Sequence, residues 1–389
     1  MFKAFQYKAS RSKGAALAAS RQLALCAELW NGALEERRDH WQKRRVSITY
    51  PMQTKQLPAI KAARPEFAEI GSQVLTDVLR RLDKAFQAFF RRVKAGETPG
   101  YPRFKPARRY DSLTFRQECG WKLGPVSASG KKRSITMQGI GTFRLFWSRD
   151  LEGEVKTVTL KRDRCGDWFV TFACDDVPAR PLPTTGATVG IDLGLESFLT
   201  TSDGAHVANP RPLRAASAGL RKAQRVVSKR VRGGVRRRKA VVLLAKRHRR
   251  VERVRRDFHH HVARQLVMGY DLIAVEALNV SALSRGWLAK SVSDAGWGEF
   301  LAILADKAVS AGRVVVAVDP RGTSQVCNAC GAAPAESKPL KERRHACACG
   351  YVAHRDVNAA LNIRQRGEIQ AGRAGPSASG RACKDAAST

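Results

Sequence analysis

Val189-Gly190-Ile191-Asp192-Leu193-Gly194-Leu195 sets one carboxylate inside an apolar run flanked by glycines. A short apolar run of this kind reads as a buried strand, here residues 189–193. An ionised carboxylate in such a strand is costly unless something compensates it. Asp192 is therefore the acid hardest to explain by packing alone. Two further acids stand in comparable places: Glu276 ends Leu272-Ile-Ala-Val-Glu276, and Asp356 opens His354-Arg-Asp356-Val-Asn-Ala-Ala-Leu-Asn-Ile363. The first closes a second buried strand predicted over 271–278, and the second starts a helix predicted over about 356–366. Two or three convergent carboxylates can hold Mg²⁺ ions that activate water and stabilise the leaving oxygen of a phosphodiester. Taken singly, each has a structural alternative: Asp356 as a helix N-cap, Glu276 as the partner of an arginine.

Around these strands the pattern mixes strands with helices. Residues 198–202, the Asp203-Gly204 turn and a return over 205–208 predict a hairpin. A helix over 297–311 and a third strand over 314–318 follow. The first half reads differently. Phe5 and Tyr7 mark a strand over 3–8, and Leu17, Leu25, Leu29 and Leu34 a helix over 12–40. Phe67, Ile70, Val74, Val78, Leu82, Phe86 and Phe89 recur every three or four residues, which predicts one helix over 65–94. Residues 143–147, 155–161 and 168–174 alternate at period two, with a turn at 163–167, and predict a small barrel-like antiparallel domain. A Pro-rich linker at 178–183 divides the halves, and the Gly/Ala/Ser-rich stretch 367–389 predicts a disordered tail.

Charge narrows the function. The 389 residues carry 70 Lys plus Arg against 34 Asp plus Glu, a formal charge of +36, so the expected partner is a polyanion. A hydrophobic content of 43% argues against global disorder. No apolar run approaches the roughly 18 residues of a membrane span, and residues 1–20 lack a signal-peptide core. Secreted, collagen-like and membrane-spanning readings, and a membrane partner, are set aside in favour of a cytoplasmic protein. Residues 211–256 hold 19 Lys or Arg and one acid, Glu252, and Gly233-Gly234 divides them into two predicted helices. A phosphate backbone is the natural counter-charge. Candidate contacts there are Lys229, Arg230, Arg236, Arg237, Arg238, Arg249, Arg250 and Arg253. Arg80, Arg81 and Lys84 offer a second basic face on the 65–94 helix. Tyr101, Arg103, Phe104, Lys105, Arg108 and Arg109 interleave rings with cations, the combination single-stranded nucleic acid needs.

Four of the nine cysteines fall in Cys327-Asn-Ala-Cys330-Gly and Cys347-Ala-Cys349-Gly, with sixteen residues between Cys330 and Cys347. Closely paired thiolates followed by glycines predict a tetrahedral structural Zn²⁺ site in a reducing cytosol. The second pair is one residue tighter than the usual knuckle, so His345 or His354 stands as an alternative to one thiolate.

These residues together resemble a known family. Gly190-Ile-Asp192-Leu-Gly, Val275-Glu276-Ala-Leu, Thr323-Ser-Gln-Val-Cys327-Asn-Ala-Cys330-Gly and Arg355-Asp356-Val-Asn-Ala-Ala look like the transposon-encoded TnpB nucleases, compact relatives of type V CRISPR effectors. Gly100-Tyr-Pro-Arg-Phe-Lys105 and the basic helices before Asp257-Phe-His259 fit the same pattern, so the resemblance covers nearly the whole chain. It implies a multidomain protein with a RuvC nuclease domain of ribonuclease H fold over 184–322 and 354–366, interrupted by a zinc-bearing, nucleic-acid-binding insertion over 323–353. It also implies a wedge barrel over 1–12 and 99–183, with a helical recognition insertion over 13–98. Asp192, Glu276 and Asp356 would bind Mg²⁺ or Mn²⁺ and cut target DNA beside a short recognition motif, leaving a 3′-hydroxyl and a 5′-phosphate. A guide RNA from the transposon end would direct the cut, with the protein a monomer in the ribonucleoprotein. The rivals are a nuclease-inactive RNA-guided repressor, a compact CRISPR effector and a DNA-joining transposase. The intact acid trio disfavours the first, and no nucleophilic tyrosine or serine recombinase site suggests the last.

Overall fold

Phe5, Tyr7 and Ala9 alternate with exposed polar residues along β1 (Lys3–Ser10), so the strand buries one face. The computed structural model describes residues 1–374 except 11, 117 and 335–341. The chain divides into two units, Met1–Pro178 and Ala179–Thr389.

In the first unit β1 leads into α1 (Lys13–Arg44), whose N-cap Ser12 accepts from the Ala15 amide at 3.2 Å, a cap worth about 1 kcal/mol. Its buried stripe runs through Ala19, Leu23, Cys26, Trp30 and Leu34, whereas Leu17, expected on it, is 74% exposed. The predicted 65–94 helix is broken. After α2 (Tyr50–Lys55) and α3 (Leu57–Ala63), α4 (Pro65–Ala68) stops short of α5 (Ser72–Lys94), with extended Gly71 capping the latter. Glycine costs about 1 kcal/mol in a helix interior, and the break keeps both Phe67 and Ile70 in the core.

Six strands follow: β2 (Ser112–Phe115), β3 (Trp121–Val126), β4 (Lys132–Met137), β5 (Gly141–Phe146), β6 (Glu154–Arg162) and β7 (Trp168–Asp175). With β1 they form a seven-stranded antiparallel sheet ordered β2-β6-β7-β1-β5-β4-β3. The first strand of the chain thus lies between two of its later ones, with Phe5 opposite Phe172 and Tyr7 opposite Val170. At the β6–β7 turn Asp163 Oδ1 accepts from the amides of Cys165 and Asp167, a side-chain-mediated turn. The sequence reading has no strands at β2 to β4; in β3 the alternation is interrupted by Gly124, Pro125 and a bulge.

The second unit is built on a mixed sheet. β8 (Thr188–Leu193), β9 (Ser197–Thr201) and β10 (His206–Ala208) are antiparallel neighbours. Then come α6 (Pro212–Ser228) and α7 (Val235–Gly269), separated at Gly233 with φ +85°. β11 (Leu272–Glu276) pairs parallel with β8, and after α8 (Val280–Leu283), α9 (Ala289–Ala295) and α10 (Trp297–Ala311), β12 (Val314–Val318) pairs parallel with β11. The order is β10-β9-β8-β11-β12. A small hairpin, β13 (Arg344–Ala346) and β14 (Val352–His354), precedes α11 (Arg355–Ala374).

Alternation along the central strands assigns their faces. Val189, Ile191, Leu193, Ile273 and Val275 pack with residues of α7 and α10 such as Val262, Leu266, Phe300 and Leu304. Ala274 packs with Val316, Val318 and Ile363 of α11 on the opposite face. α11 reaches Ala374, so residues 367–374 of the predicted tail are helical; 375–389 lie outside the described residues. Tight packing overrides composition at Gly367, where a Cβ would lie 2.4 Å from that of Ala274.

Candidate active site and cysteine cluster

Gly190 explains how the acids meet. A Cβ there would lie 2.0 Å from the Ala360 carbonyl oxygen, so only glycine lets α11 lie directly on β8. Asp192 is two residues further along the same face of the strand, about 7 Å away. Asp356 is four residues before Ala360, one turn back along the helix. The parallel register places Ala274 beside Gly190 and Val275 beside Ile191, so the next step brings Glu276 alongside Asp192. Three acids far apart in sequence therefore gather at one end of the α11-covered face.

Their electrostatics agree with that placement. Burial, and then the charges of Glu276 and Asp356, push the Asp192 carboxyl up to about 8, against the weaker pull of Arg355 and Arg343. Burial also raises Glu276, opposed by its hydrogen bond from Thr323 and by the charge of Arg366. Three mutually repelling carboxylates in a desolvated pocket favour a divalent cation that neutralises them.

The supporting contacts differ from the alternatives considered for single acids. Glu276 takes a hydrogen bond from the Thr323 hydroxyl at 2.6 Å rather than an arginine fork. Asp356 lies in the first turn of α11 with a carboxylate oxygen 3.4 Å from Arg343 Nη1, and Arg343 also reaches Glu196 at 2.9 Å. Across β9 and β10, Thr200 stands opposite both Asp192 and His206, and its hydroxyl lies 3.0 Å from His206 Nδ1. Thr323 stands in the cysteine motif and Arg343 in no motif, and no local spacing links either to the acids.

The raised Asp192 pKa has a consequence for the cation-free protein. Between about 4 and about 8 the folded state holds a proton that the unfolded state has released, so this group weakens folding as pH rises. Asp192→Asn removes that loss. In magnesium-free buffer the variant's stability advantage should widen by about 3–4 kcal/mol from pH 5 to pH 8, read by urea denaturation. A difference independent of pH would refute the assignment.

The four cysteines close a second site. Cys327, Cys330, Cys347 and Cys349 bring their sulfurs within 4.8 Å of one another, with 3.8 Å between Cys327 and Cys349 and 3.6 Å between Cys330 and Cys347. Both ends turn tightly: the Gly331 amide donates to the Cys327 carbonyl and the Gly350 amide to that of Cys347, with φ +74° and +88° at the two glycines. The one-residue gap is no obstacle because the Cys347–Gly350 turn closes between β13 and β14. Hydrogen bonding to the Cys349 amide, then to neighbouring thiols, brings Cys347 down to about 7. Such a thiol set suits Zn²⁺. Neither His345 nor His354 is needed to complete it.

The basic residues fall into three groups. On α5, Lys84 is exposed and Arg80 half-buried, but Arg81 turns inward. Its guanidinium pairs with Asp77 at 2.6 Å and donates to the hydroxyls of Ser112 and Thr114. The 101–109 loop is stapled to α1: Trp30 Nε1 donates to the Arg103 carbonyl, and Asn31 makes two bonds with Lys105. Lys105 Nζ lies 3.3 Å from the centroid of the Trp30 ring and is half-buried. Tyr101 meets Phe86 and Phe89 edge-on at 5.6 and 5.3 Å. Arg103, Phe104, Arg108 and Arg109 face solvent. In the turn after α6, Lys229 and Arg230 are exposed; on α7, Arg236, Arg238, Arg250 and Arg253 are exposed, and Arg237 and Arg249 are half-buried.

Comparison with known proteins places the chain among relatives. The family model OrfB_IS605, described as "Probable transposase", matches residues 170–286, and the model "Cas12f1-like, TNB domain" matches 297–363. A Streptomyces pristinaespiralis protein named "Putative RNA-guided DNA endonuclease" is 35% identical over 367 residues, spanning 93% of this chain and 88% of that protein. The "Putative RNA-guided DNA endonuclease InsQ" of Escherichia coli (strain K12) is 28% identical, over 87% of this chain and 85% of that protein. The fold matches that of the "mini-RNA-guided endonuclease CRISPR-Cas_phi3" with a TM-score of 0.57 at 10% identity, covering 97% of this chain and 94% of that one.

Proposed function

Because the chain belongs to the TnpB family of RNA-guided DNA endonucleases, we propose that it binds a guide RNA from the end of its transposon and cuts matching DNA. The target would carry a short motif beside the matched stretch. The observation that carries the cutting step is the convergence of Asp192, Glu276 and Asp356 at one end of the α11-covered face.

Their all-oxygen, mutually repelling donor set fits Mg²⁺ or Mn²⁺. Bound there, such ions would supply Lewis-acid stabilisation of the charge that develops at the phosphate. The chain's own residues prepare that place. Asp192 contributes the carboxylate most strongly disfavoured without a cation, Glu276 is oriented by Thr323, and Asp356 by Arg343. The mixed sheet with α11 would be a RuvC-type nuclease domain, and the cysteine cluster a Zn²⁺-bearing insertion within it. The seven-stranded sheet would be the wedge, and the helices between β1 and β2 the recognition insertion. The protein would act in the prokaryotic cytosol as a monomer in its ribonucleoprotein. No helix among the described residues is long and apolar enough to cross a membrane. The test is incubation of the ribonucleoprotein with a plasmid carrying a matched target. Magnesium-dependent linear or nicked product with 5′-phosphate ends is expected, and intact plasmid across a library of adjacent motifs would overturn the reading.

The exposed cations of α7 and of the turn before it give this reading a second handle. Changing Lys229, Arg230, Arg236, Arg238, Arg250 and Arg253 together to glutamine should weaken guide-RNA binding and flatten its salt dependence. Each lost phosphate contact lowers the slope of log K against log salt by about 0.7 for single-stranded RNA. A total change of roughly 2–4 is expected in a filter-binding salt titration, with zinc content unaltered. An unchanged slope would remove α7 and the turn before it from the interface.

A further inference from the structure

The acids and the cysteine cluster are joined by one short segment, residues 319–328. It leaves β12, runs beneath the acid site and delivers Cys327 to the thiol cluster. Its seat is on α11, the helix that carries Asp356. Three residues spaced by four, Asn358, Asn362 and Arg366, form one stripe of that helix and hold the segment from end to end. Arg366 Nη1 donates to the carbonyls of Asp319 and Arg321 at 2.7 and 2.8 Å. Asn362 Nδ2 donates to the carbonyls of Thr323 and Val326 at 2.8 Å each. Asn358 Nδ2 donates to the Val326 carbonyl at 2.8 Å, and its Oδ1 accepts from the Asn328 amide at 3.0 Å. Asn328, inside the first cysteine pair, also donates from its side chain to Asn362 Oδ1 at 3.1 Å.

Both asparagines are buried, at 0% and 6% exposure, so leaving their amides unmatched would be costly and the segment is held in one register. The result of that register is a single side-chain contact. Thr323, 3% exposed, directs its hydroxyl at Glu276 Oε1 from 2.6 Å. The Thr323 hydroxyl oxygen also lies 2.9 Å from the Pro320 carbonyl, the alternative acceptor for its one proton.

We propose that Thr323, seated by the cysteine-bearing segment and the Asn358–Asn362–Arg366 stripe, is the positioning residue that aims the Glu276 carboxylate at the divalent cation. The role rests on the acid trio being the cation site. Donors behind a ligating carboxylate fix which oxygen and which direction it offers to the metal, and their loss typically weakens metal binding 10–100-fold. The same segment makes the cysteine cluster part of the cation site's support, since Asn328 and Thr323 are five residues apart on one clamped strip of backbone.

The test is Mn²⁺ binding to the full-length, zinc-loaded chain without nucleic acid, followed by electron paramagnetic resonance, with Asp192→Ala as the blank. Thr323→Val keeps the volume and removes the hydroxyl. It should raise the Mn²⁺ dissociation constant about tenfold or more, while Thr323→Ser stays near wild type. Zinc content should be unchanged in both, and Thr323→Val should stay folded at the assay temperature while losing some stability for the unmatched buried carboxylate. In guided plasmid cleavage, Thr323→Val should need correspondingly more Mg²⁺ for half-maximal rate and recover most of its rate at saturation. Equal Mn²⁺ affinity in Thr323→Val and wild type would overturn the proposal while leaving the cation site standing. Equal weakening by valine and serine would also overturn it, by making the position merely structural. Wild type binding Mn²⁺ no better than Asp192→Ala would remove both the cation site and the proposal.

Discussion

Asp192→Ala should lower guided cleavage of a matched plasmid by a factor on the order of 10³ or more, equivalent to about 4 kcal/mol of lost transition-state stabilisation. Asp192 is chosen because its carboxyl responds to both other acids, with Glu276 ahead of Asp356. Its loss therefore removes the carboxylate coupled to both others from the proposed cation site. Guide-RNA binding should be unaffected, because the substitution removes a negative charge from a pocket and no cation from a surface. Product quantified on gels over a time course, beside RNA affinity by filter binding, separates the two effects. Cleavage within tenfold of wild type would show that the chemistry lies elsewhere in the molecule.

The second large effect concerns the cysteines. Cys349→Ser should abolish zinc binding and unfold the hairpin that carries it, since structural zinc sites supply an apparent ~10 kcal/mol or more to the segments they close. The stretch has few apolar residues to hold it otherwise. Its backbone order rests on short bonds such as Cys327 N to Ala332 O and Cys347 N to Tyr351 O, both 3.0 Å. Those amides should lose hydrogen-exchange protection in the variant, and zinc measured by elemental analysis should fall from one per chain to none. His345→Ala should keep its zinc, because four sulfurs already lie within 4.8 Å of one another. The opposite pair of results, with zinc lost on removing His345 and kept without Cys349, would replace a thiolate by imidazole.

The two expectations draw on different information. A cysteine pair with a following glycine is a local signal, because a thiolate turn is closed by residues two or three apart. The acids were also legible, one at a time, because a carboxylate in or beside an apolar strand is anomalous wherever it occurs. Helix α10 and strand β12 were readable to the residue, since uninterrupted apolar periodicity bounded by Gly296 and Gly312 leaves little choice. Where local and tertiary demands diverge, the sequence misleads. The Phe67-to-Phe89 stripe reads as one helix, yet the chain breaks at Gly71 to turn Ile70 inward. Arg81 reads as one more free surface cation, yet it is half-buried and its guanidinium is engaged by Asp77, Ser112 and Thr114.

Composition, spacing and anomaly by themselves determined that this is a basic, nucleic-acid-directed chain with an unusual set of three acids and a four-thiol knuckle. Each of those features is carried by residue type or by neighbours a few positions apart. Only the tertiary structure decided that Gly190 admits α11 onto β8, bringing Asp356 to Asp192, and that the parallel register sets Glu276 beside them. It alone decided that Thr323, 47 residues from Glu276, supplies that carboxylate's hydrogen bond. Contacts between residues distant in sequence depend on strand register and helix packing, which are settled by the fit of whole faces. No local pattern encodes them.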